Sequence, residues 1–167
     1  MSGNIWHNPI HLLEVIYQKT IVLTSCPGDP LHRGHLAYLE AAKQLAPCHV
    51  VLVNSDRFLR VKKGYLFLPL QERLAVIAAL RCVDHVLAWD DGSQTVAGAI
   101  HILRPRFFAK GGDRSTLDNI EPSEIRACRE TGCELALGIG GTNKITSSSL
   151  LVTETKLNAV RQRTGIF

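Results

Sequence analysis

A doubly wound α/β fold, one parallel sheet covered by helices on both faces within a single domain, is what this sequence predicts. Two observations carry that expectation. Short β-rich apolar runs alternate with longer stretches of helical periodicity, the pattern of strand, helix, strand units. And 167 residues suit one domain, which at that size buries roughly 70% of the surface its unfolded chain would expose.

In chain order the strand candidates are 20–24, 49–53, 85–88, 106–109 and 134–137, and the helices between and after them are 34–46, 70–80, 93–103, 122–131 and 148–163. In the first of these helices Leu36, Leu39, Ala42 and Ala46 recur at helical spacing and should face the sheet. Residues 1–18 stand before the first of these strands as an N-terminal extension to the domain at 19–167. There Leu12, Leu13, Val15 and Ile16 suit a short amphipathic helix that packs on the sheet. His7 and His11 are four residues apart, a metal-compatible spacing, but lack a third ligand nearby.

Composition narrows the class. Hydrophobic residues at 46% and charged ones at 20% describe an ordinary globular chain, and no run nears the roughly eighteen apolar residues of a membrane helix. A formal charge of +4 spread along the chain is no nucleic-acid-binding tail, yet it suits a pocket for a small polyanion. Cys26, Cys48, Cys82, Cys128 and Cys133 show no C-x-x-C spacing and read as reduced, mostly buried small apolar residues. A cytoplasmic enzyme without membrane or nucleic-acid partners is the expectation.

The chemistry concentrates after the 20–24 strand, in Cys26-Pro27-Gly28-Asp29-Pro30-Leu31-His32-Arg33-Gly34-His35. Ligands of open α/β sheets bind beyond the carboxyl ends of strands, where a helix start turns free N–H groups and its positive dipole end toward an anion. The spacing of His32 and His35 sets both rings on one side of the first turn, with Gly34 leaving room for a phosphate. Two imidazoles there can stabilise charge on a phosphoryl group.

Further along, Lys63 beside Gly64 reads as a loop lysine able to reach a β- or γ-phosphate as a point charge. Arg73, near a helix start, is a candidate phosphate clamp, or a partner for Glu72 or Asp56. Lys110-Gly111-Gly112-Asp113 makes a turn whose glycines permit close backbone approach to a nucleotide. Thr146, Ser147 and Ser148 offer hydroxyls and N–H groups where the last helix begins, more than one cap requires, with Lys144 just before them. The 138–144 loop does not fit the Walker phosphate-loop pattern.

The stretch from Asp29 to His35 resembles the H-x-G-H signature of the cytidylyltransferase-like superfamily. Val53-Asn54-Ser55-Asp56, Lys63-Gly64, Pro69-Leu70-Gln71-Glu72-Arg73, Lys110-Gly111-Gly112-Asp113 and Thr146-Ser147-Ser148-Ser149-Leu150 follow in the family's order. The resemblance spans roughly 20–151, and its K-G-G-D form looks most like the ADP-heptose synthase branch, which adenylylates a heptose 1-phosphate. It implies a Rossmann-like sheet and nucleotidyl transfer from ATP to a phosphorylated sugar with loss of pyrophosphate. Catalysis would fall to His32, His35 and Lys63. Cys26, Pro27, Gly28, Asp29, Gly34, Arg73, Lys110, Gly111, Gly112, Asp113, Thr146, Ser147 and Ser148 would contact the nucleotide.

The same resemblance has Lys110 holding the nucleotide or the second substrate's phosphate, Asp113 near a ribose or sugar, Mg²⁺ bridging the triphosphate, and a homodimer as a plausible assembly. Asp29 is placed to orient a histidine or the metal's water shell. Two departures stand out: Gly28 takes the place of the family's aromatic in G-x-F-D, and Thr-Ser-Ser-Ser replaces S-T-T-x-I. Three rivals remain open: a cytidylyltransferase that uses CTP with glycerol phosphate or ethanolamine phosphate, a nucleotide-binding protein without activity, and a metal-dependent hydrolase built on His32, His35 and Asp29.

Overall fold

The structure, a computed structural model, describes residues 4–112, 114–141 and 147–164, with side chains described up to Lys156. Its described strands are β1 (Ile5–Trp6), β2 (Ile21–Ser25), β3 (Cys48–Asn54), β4 (His85–Trp89), β5 (Phe107–Gly111) and β6 (Glu134–Ile139). The helices are α1 (Pro9–Ile16), α2 (Arg33–Lys43), α3 (Asp56–Lys63), α4 (Leu70–Ala78), α5 (Ala97–Leu103), α6 (Pro122–Thr131) and α7 (Ser148–Thr164). The strands form one parallel sheet in the order β1-β4-β3-β2-β5-β6.

The period-2 alternation of β3 shows how one strand feeds two cores. Val50 and Leu52 face a cluster with Leu12 and Ile16 of α1, Ala99, Ile100 and Leu103 of α5, and Ala127 and Cys128 of α6. Val51 and Val53 face the other side, with Tyr38, Leu39 and Ala42 of α2 and Leu74 and Ile77 of α4. Helices on both faces make the sheet doubly wound, as expected, and each fully buried leucine or isoleucine contributes roughly 2 kcal/mol by leaving water.

The order of strands locates the site. The chain runs outward from β2 through β3 to β4, then returns to lay β5 on β2's other side. Successive connections therefore leave β2 and β5 in opposite directions, opening a crevice at their carboxyl ends.

The structure corrects the reading of the sequence in three places. Residues 1–18 do not precede the first strand, because Ile5 and Trp6 pair with Val86 and Leu87 of β4, and α1 buries Leu12 and Ile16 in the core. A two-residue strand is too short to show alternation. Lys63 belongs to no loop: it ends α3, which Ser55 caps through its Oγ and Phe58 N–H, and which Gly64 closes at φ 75°. And the helix expected over 93–103 begins only at Ala97. Side chains of Asp91, Ser93 and Thr95 accept the N–H groups of Ser93, Thr95 and Ala97, holding 93–96 as a bend.

Candidate active site

Helix α2 starts at the crevice. His32 is its N-cap, with Nδ1 accepting the Gly34 N–H at 3.2 Å, so the proton of the neutral ring sits on Nε2. One turn on, His35 stacks against it, ring centroids 3.8 Å apart and planes 24° from parallel. His35 Nδ1 is buried with no hydrogen-bond partner among the described residues. Burial, then His32 and Lys63, hold the His35 imidazole down to about 3, and burial with Lys63 also lowers His32. Both are neutral at pH 7, poised to accept negative charge beside them.

Lys63 reaches in from the end of α3, donating to the Asp29 carbonyl at 3.1 Å, and burial lowers its pKa against the pull of Asp29. From β5, Lys110 meets the same space, and Gly111 keeps the strand close to α2, where a Cβ would lie 3.1 Å from the Tyr38 ring. At the start of α7, Ser147 Oγ accepts the Leu150 N–H and Ser148 Oγ donates to the Pro30 carbonyl at 2.9 Å. One hydroxyl therefore caps the helix, as expected, and the next ties it to the histidine loop.

These groups line one cavity of about 550 Å³. It holds Pro27, His32, Gly34, His35, Lys63, Lys110, Gly111, Gly112, Ser147 and Ser148 together, drawn from segments more than a hundred residues apart. Asp113, Lys144 and Thr146 lie outside the described residues.

Four expected contacts stand apart from this lining. Arg73 is fully buried, its guanidinium donating to the Leu68, Pro27 and Asn54 carbonyls and to Asp56 Oδ1 at 2.7 Å. With those donors engaged it braces the crevice loops rather than clamping phosphate; the alternative partner Asp56 is the one it takes. Asp29 is equally buried and accepts the Phe67 and Leu68 N–H groups, so it orients neither histidine and supplies no third ligand for a metal-dependent hydrolase. Cys26 is buried, which pushes its thiol up to about 12 and leaves it inert. Gly28, at φ 60°, packs its backbone where a Cβ would lie 2.9 Å from Ile77 Cδ1; it shapes the loop from behind.

The cavity also gathers groups that the sequence reading did not assign. Asn54, ending β3, accepts the Ser25 hydroxyl on Oδ1, while its buried Nδ2 has no partner among the described residues. Its place in Val53-Asn54-Ser55-Asp56 was the available signal. Gly140 after β6 passes so close to α2 that a Cβ would meet Tyr38 Cα at 2.7 Å. Lys62, Arg114 and Glu124 add charge to the wall. Glu124 looks like an ordinary acidic residue in a first helical turn, so nothing local marks it.

Comparison with known proteins accords with this geometry. A family model described as cytidylyltransferase-like matches residues 29–136. Among curated proteins, the bifunctional protein HldE of Syntrophotalea carbinolica is 40% identical over 97 residues, 57% of this chain and 19% of that protein. HldE of Methylococcus capsulatus is 39% identical over 121 residues, 71% of this chain and 25% of that protein. The chain thus spans about a fifth to a quarter of these relatives' length.

Two solved structures share the fold at low identity. A lipopolysaccharide core biosynthesis protein from Thermoplasma volcanium has a TM-score of 0.59 at 24% identity, over 72% of this chain and 94% of that one. Pantothenate synthetase from Thermus thermophilus has a TM-score of 0.59 at 18% identity, over 96% of this chain and 75% of that one.

Proposed function

Because the chain belongs to the cytidylyltransferase-like family, we propose that it transfers a nucleoside monophosphate, AMP from ATP, to a phosphorylated sugar such as heptose 1-phosphate and releases pyrophosphate. The observation that carries this reading is the meeting of His32, His35, Lys63 and Lys110 in one cavity at the sheet's switch point. Similarity to HldE proteins supports the sugar acceptor, and the K-G-G-D turn supports ATP.

An ionised oxygen of the acceptor's phosphate attacks the α-phosphorus. The new P–O bond forms as the bond to the bridging oxygen breaks, and pyrophosphate departs with that electron pair. No general base and no covalent enzyme intermediate is needed, since the nucleophile is already ionised near neutral pH. The protein supplies position and charge. His32 donates Nε2–H to an α-phosphate oxygen, and His35, stacked on it, offers its own ring N–H to the charge that gathers there. Lys63 and the α7 start face the departing pyrophosphate.

Among the described residues no group of three His, Cys, Asp or Glu gathers around a common point. Were Mg²⁺ to accompany the triphosphate, Lys63 and the α7 start would hold the phosphates that carry it. Such an ion would supply charge neutralisation.

The test is pyrophosphate release with ATP and with CTP, each against a panel of sugar 1-phosphates, glycerol phosphate and ethanolamine phosphate. ATP with a sugar phosphate should turn over fastest. Turnover with CTP and glycerol or ethanolamine phosphate alone would replace the proposed substrates, and nucleotide binding without pyrophosphate release from any pair would leave a binding protein.

A further inference from the structure

The histidines stand on the α2 face of the sheet, whereas the cavity's opposite wall belongs to the α5 and α6 face and carries charges that nucleotide binding leaves unexplained. Lys110 is 5% exposed and Glu124 4%, and Glu124 Oε2 lies 2.6 Å from Lys110 Nζ. Oε2 has no hydrogen bond among the described residues beyond this ion pair. The other oxygen, Oε1, accepts the N–H of Val96 at 3.2 Å. One carboxylate therefore holds three separate pieces: the end of β5, the bend at 93–96 and the first turn of α6.

Burying such a pair has a desolvation cost that its attraction scarcely offsets, so stability alone is a weak account of it. Its surroundings suggest another. Lys62 from α3 and Arg114 from the turn after β5 line the same wall, as do Gln94 and Thr95 of the bend that Glu124 tethers. A triphosphate at His32, His35, Lys63 and the α7 start leaves these cations facing the rest of the cavity. A second anion with hydroxyl groups is the complementary ligand.

We propose that Glu124 is a positioning residue for the acceptor, fixing the Lys110 ammonium and the Gln94-Thr95 bend so that the acceptor's phosphate and hydroxyls meet preset partners. This rests on the nucleotidyl-transfer reading above. Lys110 is the group that the acceptor's phosphate touches, and Glu124 acts through it.

The electrostatics give a signature that mere packing would not. Burial lowers the Lys110 pKa and Arg114 and Lys62 lower it further, while Glu124 opposes them. Cys128 on α6 also feels this lysine, and Tyr38 of α2 feels Glu124 and Arg114. With the carboxylate gone, Lys110 should release its proton at a lower pH.

The experiment compares wild type, Glu124→Gln and Glu124→Asp, using the sugar 1-phosphate that the wild type turns over best. Glu124→Gln keeps an acceptor for the Val96 N–H but loses the charge; Glu124→Asp keeps the charge. In Glu124→Gln the acceptor KM should rise on the order of tenfold, as when a group that orients a ligand's direct partner is removed, with the KM for ATP within about twofold. The alkaline limb of acceptor kcat/KM should move toward neutral pH, and Glu124→Asp should restore it. NMR titration of the dimethylated lysines should show the same displacement for Lys110 without turnover.

Equal changes in both KM values, or an unmoved alkaline limb and Lys110 titration, would overturn the proposal while leaving nucleotidyl transfer standing. If Glu124→Gln does not fold, Glu124→Asp and Lys110→Met decide: an unchanged acceptor KM in Lys110→Met overturns the proposal. A wild type that turns over no phosphate acceptor removes the nucleotidyl-transfer reading, and this assignment with it.

Discussion

At the scale of single residues the site turns on a pair of histidines that the fold holds neutral. His35 has lost most of its contact with water, and its neighbours His32 and Lys63 resist a further positive charge. Phosphate oxygens would reverse that balance, because they satisfy the orphaned ring and reward its protonation. His35→Ala should therefore lower turnover by roughly 10²–10³ while circular dichroism and the melting temperature stay near those of the wild type. Near-normal pyrophosphate release from a folded His35→Ala protein would remove the histidines from the chemistry. These two residues were legible in the sequence because their partner is local: a three-residue spacing at a helix start fixes both rings on one side. Glu124 was not, since its partners Lys110 and Val96 lie 14 and 28 positions away and only the packing of α6 on the sheet brings them together.

At the scale of elements, legibility followed apolar periodicity. Five strands and the helices α2, α4 and α6 lay within a few residues of the ranges their apolar periodicity predicted, whereas β1 and α3 went unread. Two residues carry no alternation. The eight residues of α3 bury only Phe58 and Leu59, so that its caps, Ser55 and Gly64, were the stronger signal and were absorbed into motifs instead. Arg73 shows the same limit from another side. Its sequence context allowed a clamp or a strut; its donors are spent on the loops after β2 and β3 and on the entry to α4, joining three elements beneath the cavity. Arg73→Met should cost roughly 3 kcal/mol of stability in urea unfolding, because it leaves the Leu68, Pro27 and Asn54 carbonyl groups without their buried donor. Unchanged stability with a raised KM for ATP would return Arg73 to the phosphate.

For the whole molecule, pH is the lever. His49 is fully buried on β3, its Nδ1–H donating to the Cys82 carbonyl at 2.7 Å and its Nε2 accepting the Thr24 hydroxyl at 2.9 Å. Burial holds it down to about 4, against a value of 6.5 when exposed. Since the folded value is the lower one, the unfolded chain takes the proton first. Stability is complete above about pH 6.5 and falls as the pH drops toward 4, by roughly 3 kcal/mol for His49, with His35 adding loss in the same direction. Urea midpoints at pH 7.5 and 4.5 should differ accordingly; equal midpoints would mean that neither ring is neutral by virtue of the fold. The placement of β1 bears on a different hazard. Ile5 and Trp6 cover Val86 and Leu87, so the flank of the apolar β4 ends in a strand too short to recruit another chain. Without residues 4–18 the same β4 backbone would present unpaired N–H and C=O groups along a hydrophobic rim, the template on which molecules stack edge to edge into aggregates.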